Sequence, residues 1–444
     1  MAVYYVDSRK GKKENDGLSE KTPTDSYRSL GIKPGDTVLL AAGSVFRDRL
    51  YSPDGEADAP IKWDVYGDGE KPEFWGSVDI SGKENWVETA KNVWRYTGAP
   101  FENEPCNLIF DDSACGVLAW AYEDLDKQGK WHYTHIGYDR YDRVAEMPER
   151  LKNQPKALYL YSEGNPGGMY RHIECALYYN RIMMTAARHV TFQNIGVRYG
   201  GCHGFATLGG AYGVTLRGCE FRFIGGAVWE RRSRVRFGNG VENWEYGEDF
   251  TVENCLFEEI YDSCTTHQGM TERRGPSKHI VIRGNTFKNY GMAAYELRDM
   301  VTADSVFKNN VCLGAGLGFS LQGETPPRKS ELWPQPMGHH LFIWRIKGAS
   351  EGGSFTVRGN VFGDAPYGAA VYSTASEAAE RQIRLCGNTY RIGDGEDPLL
   401  VRWNGKNYRA WEFGAYLRDT GNDTGSRLER VNMTVPRPKA VAAV

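Results

Sequence analysis

Apolar and polar residues alternate in short runs that recur through the middle of the chain. Three consecutive segments show the pattern: FTVENCLFEEIYDSCTTHQG from Phe250, IVIRGNTFKNYGMAAYELRD from Ile280 and SVFKNNVCLGAGLGFSLQG from Ser305. Within each segment the runs have a period of two, which predicts β-strands, and glycine or asparagine between the runs predicts tight turns. A unit of about 20 to 30 residues cannot bury its own apolar face, so the units must stack on one another.

Further copies of the unit extend the repeat in both directions. They begin at Val190, Val214, Phe355 and Ile383. Stacked units of short strands and tight corners predict an all-β fold, a right-handed parallel β-helix in which each unit forms one coil. A break in the rhythm predicts a small β-rich domain inserted into the β-helix, and long corners predict loops that border one face.

One column of the repeat predicts how the coils are joined. The residue that closes the first run is Asn285, Asn310, Asn360 and Asn388 in four coils, and Cys219 and Cys255 in two others. A stacked asparagine can bond through its amide to the coils above and below, and a small thiol fills the same turn. We therefore expect this column to be scaffold rather than chemistry.

The repeat divides the chain into four parts. Residues 1–80 are predicted to form an N-terminal cap and the first coils, 81–180 the β-rich insertion, 181–395 the main β-helix with the catalytic face, and 396–444 a C-terminal cap and tail. Two long corners, 229–249 and 323–340, interrupt the main β-helix. Long loops in a compact fold are usually functional or disordered, so we expect them beside the site.

Composition and charge narrow the choice of partners. The formal net charge is −3 with both signs scattered along the chain, which gives no electrostatic support for a nucleic-acid groove. The apolar runs are far shorter than a membrane span. We therefore expect a soluble protein that binds neither nucleic acid nor a membrane.

The cysteines bear on the cellular compartment. There are nine, an odd number, and none lies in a CxxC pair. Four of them, at positions 219, 255, 264 and 312, fall at core or turn positions of the coils, which predicts reduced, buried thiols. No signal peptide precedes the strand-like run at Val3, so a cytoplasmic location is favoured, or a secreted one if a leader has been removed.

Three motifs resemble those of a known group of proteins. They are PGDTVLL from Pro34, YLYSEGNP from Tyr159, and GNGVENW from Gly238 with IYDSCTTHQG from Ile260. The chain is similar over most of its length to the bacterial right-handed parallel β-helix proteins of the pectate-lyase-like superfamily. This resemblance implies a carbohydrate-active protein, but the superfamily includes glycoside hydrolases, polysaccharide lyases, epimerases and phage tailspikes. The reaction must therefore be inferred from the site.

Alignment of three coils predicts where polar groups converge. Setting GNGVENW, YDSCTTHQ and GMAAYELR in register gives three rows: Asn239, Asp262 and Met292; Glu242, Thr265 and Tyr295; and Trp244, His267 and Leu297. Strands of adjacent coils lie about 4.8 Å apart, so the carboxyl groups of Glu242 and Asp262 could lie within the roughly 5 to 10 Å that glycoside hydrolysis uses. These two are the predicted catalytic pair, and Glu296 on the following coil is the third candidate.

The substrate-binding candidates surround these carboxylates. Aromatic rings stack on sugar faces, guanidinium groups bind carboxylate or sulfate, and amides and imidazoles bond to hydroxyls. The candidates are Asn239, Trp244, His267, Gln268, Tyr295, Arg298, Arg232, His203 and Trp333. Arg232 lies in the first long corner, and Trp333 in the second is expected to form a lid or a subsite wall.

These observations favour a glycoside hydrolase with a carboxylate acid/base pair in a groove of the β-helix. Its expected substrate is an oligo- or polysaccharide, and acidic glycans are among the candidates. One alternative is a polysaccharide lyase or epimerase, in which Arg232, His267 and Tyr295 act on a uronate. Another is a non-catalytic glycan-binding tailspike or adhesin module. No metal or cofactor is expected; the resemblance implies Ca²⁺ only for the lyase alternative, because lyases of the superfamily often use it, and the sequence shows no compact outward cluster of acidic residues to hold it. The sequence leaves open the sugar, the linkage, the stereochemistry and the oligomeric state.

Overall fold

A computed structural model describes residues 1–139, 143–179, 181–185, 188–207, 209–318 and 337–432. Among these residues, three long sheets run along the molecule and successive strands visit them in turn. We call them sheets I, II and III in the order in which the chain enters them. Almost all of their strands pair in parallel, and this arrangement is the predicted parallel β-helix.

Within each long sheet, neighbouring strands follow one another in chain order. Sheet I contains Val3–Val6, Thr37–Ala41, Ile61–Tyr66, Arg188–Gln193, Ala211–Arg217, Thr251–Glu253, Val281–Arg283, Ser305–Lys308, Phe355–Arg358 and Ile383–Cys386, with Gly247–Glu248 beside Ala211–Arg217. Sheet II contains Val45–Phe46, Glu73–Trp75, Gly196–Arg198, Glu220–Ile224, Leu256–Ile260, Thr286–Tyr290, Val311–Ala315, Val361–Phe362, Thr389–Gly393 and Arg427–Val431. Sheet III contains Leu50–Ser52, Arg181–Thr185, His203–Thr207, Val241–Trp244, Ser263–Gln268, Ala293–Arg298, His339–Trp344, Val371–Ser373, Leu399–Trp403 and Lys406–Arg409.

Two smaller sheets interrupt the β-helix between Glu73–Trp75 and Arg181–Thr185. The first contains Ala114–Cys115, Pro105–Phe110, Ile173–Leu177 and Ser77–Asp79, and the second Val117–Leu118, Lys130–Tyr133, Leu158–Tyr161, Val93–Tyr96 and Trp86–Ala90. They enclose a core of their own around the buried side chains of Leu108, Trp131 and Leu160. A separate hairpin, Ala227–Glu230 with Val235–Phe237, leaves the β-helix at the long corner before Val241–Trp244.

In the described ranges the helices are short, and five of them lie in the inserted segment between Ser77–Asp79 and Ile173–Leu177. The α-helices are Glu149–Lys152, Pro166–Met169, Glu377–Glu380 and Phe413–Thr420, and the 3-10 helices are Tyr27–Ser29, Lys83–Asn85, Tyr122–Asp124, Val144–Glu146 and Ala410–Glu412. In the described part of the chain, no helix combines the length and the apolar character needed to cross a membrane.

Side chains that point into the β-helix form continuous stacks. Phe221, Phe257 and Phe287 are register partners on sheet II, and their ring centroids lie 4.9 and 5.0 Å apart. Parallel pairing at a constant spacing brings equivalent residues of successive coils into contact, so the period-two pattern of each run becomes a core along the whole axis. The four predicted coil cysteines are buried free thiols.

The asparagine column is confirmed. Asn310 Oδ1 accepts from the backbone N–H and the amide of Asn285, at 2.9 and 3.1 Å. Its own amide donates to Asn360 Oδ1 and to the Ile282 carbonyl, each at 3.1 Å. Asn360 bonds to Asn388 in the same way. The column therefore joins four coils by side-chain bonds that hold these coils in one register.

We predict that Asn310→Ala lowers the free energy of unfolding by about 2 to 4 kcal/mol, because it leaves donors of Asn285 buried without an acceptor. Chemical denaturation measures the loss. Asn153→Ala, at an exposed position after a helix, is the matched control and should change stability by less than about 0.5 kcal/mol. Equal stability of the two variants would show that the hydrogen bonds of the column contribute nothing to the free energy of unfolding.

Candidate active site

The register of sheet III determines which side chains share the outer face of the β-helix. Glu242 pairs with Thr266, and Thr266 with Glu296. Trp244 pairs with Gln268 in the same direction along the strands. Glu242 and Glu296 are therefore two coils apart in one outward row, which separates their backbones by about 10 Å.

Two of the predicted rows are wrong by one residue. The structure pairs Thr265 with Val241 rather than with Glu242, and His267 with Asn243 rather than with Trp244. Side chains alternate between the faces of a strand, so a slip of one residue exchanges the inside and the outside. The alignment made from the sequence was shifted by one residue, so it placed residues that face the interior of the β-helix on the predicted site.

His267 and Tyr295 are the two predicted binding residues that the slip misplaced. Both side chains point into the β-helix, where the Tyr295 ring stacks on Phe307 and its hydroxyl lies 3.2 Å from His267 Nδ1. Burial lowers the pKa of His267 to about 3, which keeps its imidazole neutral. These residues belong to the core and do not reach the site.

A cavity of about 330 Å³ opens on the outer face of sheet III. Eight of the predicted residues line it: His203, Asn239, Glu242, Trp244, Asp262, Gln268, Glu296 and Arg298. The hairpin adds Trp229, Arg234, Val235, Arg236 and Phe237, and the remaining wall consists of Met292, Met337, Trp344 and Arg345. The three candidate carboxyl groups therefore converge on one cavity.

Two other predicted residues are not in this wall. Arg232 is exposed at the tip of the hairpin, where its backbone N–H donates to Glu230 Oε1 at 2.9 Å, and it does not line the cavity. Arg234 and Arg236, further along the hairpin, line the cavity instead. Trp333 lies outside the described residues.

Sequence reasoning missed Trp344 and Arg345, which lie at the end of His339–Trp344. Arg298 is the register partner of Trp344. The strand HHLFIW carries the signal, because its correct alignment with AAYELR would have placed Trp344 in the outward row of Arg298. The long corner before this strand hid the alignment.

Glu296 lies at the base of the cavity and is 1 % exposed. Trp344 Nε1 donates to its Oε1 at 2.7 Å, and the Thr266 hydroxyl lies 2.9 Å from its Oε2. Burial, reinforced by the negative charge of Asp262, raises the pKa of Glu296 to about 7. The indole N–H can only donate, whereas a hydroxyl can also accept, so the proton belongs on Oε2.

Glu242 is held in the opposite state. Burial disfavours its charge, but an ion pair with His203 (Nδ1 to Oε2, 2.8 Å) and a 2.9 Å hydrogen bond from the Asn239 amide outweigh that effect and lower its pKa. The Asn239 backbone N–H also points at His203 Nδ1, at 3.2 Å. One nitrogen cannot donate and accept at once, and the shorter contact to an ionised carboxylate assigns the proton to Nδ1.

Asp262 lies at the corner between Leu256–Ile260 and Ser263–Gln268, on the coil between the two glutamates. It lines the cavity and is 8 % exposed. Its charge is the largest electrostatic influence on Glu296 after burial. A third carboxyl group in the centre of the cavity therefore keeps the proton of Glu296 in place.

The hairpin closes one side of the cavity. Trp229 presents an indole that is 51 % exposed and packs edge-on against Phe237 at 5.5 Å. Arg236 fixes the hairpin, because its guanidinium donates to the Gly226 carbonyl at 2.7 Å and to the Cys106 carbonyl of the inserted sheets at 3.0 Å. An exposed aromatic face held in a rigid wall is suited to stacking on a sugar ring.

In the ranges that the structure describes, no group of three or more histidine, cysteine, aspartate or glutamate side chains is arranged to hold a metal ion. The carboxyl groups of the cavity bond instead to indole, hydroxyl, amide and imidazole groups. Acid and base chemistry by these side chains is what the arrangement supports directly.

We predict that the neutral isostere Glu296→Gln becomes more stable relative to the wild type as the pH rises. The folded wild type keeps a proton between the ordinary pKa of 4.5 and about 7 that the unfolded chain releases, so its stability falls across this window. The difference between variant and wild type should grow by about 3 kcal/mol from pH 4.5 to above pH 7. Denaturant unfolding at several pH values measures it.

Glu272→Gln, at an exposed position outside the cavity, is the control for this experiment. Its stability difference from the wild type should not depend on pH. A flat difference for Glu296→Gln as well would mean that folding does not raise the pKa of Glu296.

Comparisons with known proteins bear on the fold. No protein-family model and no curated protein matches the chain. XylC, solved in complex with xylose, is 11% identical over 92% of this chain and 73% of its own, with a TM-score of 0.54. A glycoside hydrolase structure is 10% identical over 97% of this chain and 96% of its own, with a TM-score of 0.48. A rhamnogalacturonan lyase structure is 11% identical over 99% of this chain and 87% of its own, with a TM-score of 0.41. The similarity to XylC shows that the two chains share the parallel β-helix fold.

Proposed function

We propose that this protein is a carbohydrate-active enzyme, a glycoside hydrolase that inverts the configuration of the sugar it releases. One observation carries the proposal: Glu242 and Glu296 share an outward row, and their environments displace their pKa values in opposite directions. Carboxyl groups that face one cavity and titrate far apart are suited to the roles of base and acid.

Glu296 is the general acid. Near neutral pH its carboxyl group retains a proton, which passes from Oε2 to the glycosidic oxygen as the bond to the anomeric carbon breaks. The bond from Trp344 stabilises the carboxylate that remains, because an N–H donor bonds more strongly to a charged acceptor. Burial raises the pKa of Glu296 to about 7, so a large fraction of the molecules carry the acid in its protonated form near neutral pH.

Glu242 is the general base. Its ionised carboxylate takes a proton from a water molecule, and the resulting nucleophile attacks the anomeric carbon on the face opposite the leaving group. The backbones of Glu242 and Glu296 lie about 10 Å apart. Side chains that leave the two coils in the same direction keep their carboxyl groups at a comparable distance, and inverting enzymes use a carboxyl separation of roughly 6.5 to 9.5 Å. This wide spacing leaves room for the water.

The cavity supports a sugar substrate through its walls. Trp229 and Trp244 supply aromatic faces, and Gln268 and Asn239 supply amides for hydroxyl groups. A volume of about 330 Å³ lies at the lower end of the range for ligand pockets, roughly 300 to 1,000 Å³, and suits the terminal sugar of a chain. We therefore propose cleavage at a chain end.

A polysaccharide lyase is the second candidate, and the cationic wall favours it. Arg298 and Arg345 line the cavity together with the carboxyl groups. A lyase must neutralise the carboxylate of a uronate while a base removes the proton next to it, and guanidinium groups supply such charge. The two reactions differ in their products, which makes them separable by experiment.

We predict that Glu296→Gln and Glu242→Gln each lower kcat by about a thousandfold or more, because each removes one half of the acid/base pair. Reducing-end release from a panel of neutral and acidic glycans measures turnover, and thermal unfolding confirms that the variants fold. Glu272→Gln is the matched control with full activity. Products that absorb as unsaturated uronates would contradict the hydrolase and identify a lyase. Retained configuration at the first-formed anomeric carbon would contradict inversion.

We predict a different effect for Asp262→Asn, because its charge raises the pKa of Glu296. Removing that charge lowers this pKa, so the fall of kcat/KM at high pH should begin at a lower pH than in the wild type. The pH profile of kcat/KM measures the shift. An unchanged profile with reduced kcat would instead assign Asp262 a direct role in the reaction.

A further inference from the structure

Two arginines share one tryptophan in the wall of the cavity. The guanidinium carbon of Arg298 lies 5.1 Å from the ring centroid of Trp344, and that of Arg345 lies 4.9 Å from the same centroid. The two cations are therefore within about 10 Å of each other. Cation–π attraction favours each contact separately, but the two like charges repel.

The fold holds this pair together against a cost. The register of sheet III places Arg298 directly beside Trp344. Arg298 Nη1 also donates to Gln268 Oε1 at 2.8 Å. Arg345 adopts φ of 60° at the corner that follows Trp344, as Glu245, Gly269 and Asp299 do at the same corner of the preceding coils, so the turn of the repeat sets its direction. Burial and the nearby charge of Arg298 lower the pKa of Arg345. Two like charges held on one indole in the wall of a cavity point to an anionic ligand that contacts both.

Positive charges outnumber negative charges in the wall around the two arginines. Four arginines line the cavity, at positions 234, 236, 298 and 345, against three carboxyl groups. Of these carboxyl groups, Glu242 is paired with His203, and Glu296 carries a proton near neutral pH. Asp299 lies 3.5 Å from Arg298 but is not part of the wall. An anionic group that entered here would meet a net positive field.

We propose that Arg298 and Arg345, seated on Trp344, form a subsite for the carboxylate or sulfate group of an acidic sugar. A planar guanidinium binds such oxyanions with two parallel hydrogen bonds, and two guanidinium groups on one indole present donors from two directions. The inference deepens the proposed function, on which it rests only in that the cavity takes a sugar.

The same indole connects this subsite to the acid. Trp344 Nε1 donates to Glu296 Oε1 at 2.7 Å while its ring carries both guanidinium groups. A sugar held by its anionic group is therefore held at a defined distance from the proton donor. The subsite thus orients the substrate as well as selecting it.

Binding of matched monosaccharides tests the subsite without turnover. The probes are galacturonate, galactose 6-sulfate and galactose, with glucuronate, glucose 6-sulfate and glucose as the second set, titrated by calorimetry at low ionic strength. We expect at least one acidic sugar to bind about tenfold or more tightly than its neutral counterpart, and the preference to fall with added salt. The carboxylate and sulfate arms identify which anion is bound.

Variants assign the preference to the two arginines. Arg298→Gln and Arg345→Gln should each remove the preference for acidic sugars. Arg298→Lys and Arg345→Lys should retain part of the preference, because lysine keeps the charge but lacks the two parallel N–H donors of a guanidinium. Arg232→Gln removes the same charge from the hairpin outside the cavity and should keep the full preference. Arg345 is exposed, so its variants carry the test if Arg298→Gln fails to fold.

Three outcomes overturn the inference: equal binding of acidic and neutral sugars, a preference that survives in both glutamine variants, or no binding of any of the six sugars. Failure of the proposed function looks different. Anion-selective binding without cleavage of any glycan would contradict the hydrolase and leave the subsite intact. Cleavage of neutral glycans without a preference for anionic sugars would support the hydrolase and contradict the subsite.

Discussion

The structure depends on the parallel register between coils. Each coil satisfies its backbone N–H and C=O groups through the next coil, so a shift of one strand would disturb every coil above it. The asparagine column holds this register from inside, because each amide bonds both to its neighbour in the column and to a main-chain carbonyl. Once the register is set, the distance between any two outward side chains follows from the number of coils between them.

That constraint creates the candidate site. Glu242 and Glu296 are far apart in sequence, yet the register places them in one row about 10 Å apart, with Asp262 on the coil between them. Three carboxyl groups in one buried cavity cannot all ionise at little cost. The surrounding groups resolve the conflict unequally, since His203 and Asn239 stabilise the charge of Glu242 while Glu296 remains with neutral donors. The opposite shifts of the two pKa values therefore come from the environments of two identical side chains.

The departures from the repeat turn a flat face into a cavity. A regular β-helix would present an open groove, but the hairpin raises a wall that carries Trp229 and Phe237. Arg236 ties this wall to the inserted sheets through the Cys106 carbonyl. The insertion thus supports the site without lining it, because none of its residues belongs to the described wall of the cavity. On the opposite side, the corner after Trp344 brings the guanidinium of Arg345 to the indole as a second cation.

The sequence by itself determined the β-helix, the asparagine column and eight of the residues that line the cavity, including its three carboxyl groups. These follow from local signals, namely period-two alternation, turn residues and the recurrence of one unit, which survive without knowledge of distant contacts. Only the tertiary structure decided which face each residue occupies. His267 and Tyr295 were predicted on the wrong face because a register slip of one residue reverses a strand, and the energy that forbids the slip lies in contacts between coils. The pairing of His203 with Glu242, the raised pKa of Glu296 and the two arginines on Trp344 depend on the same long-range contacts.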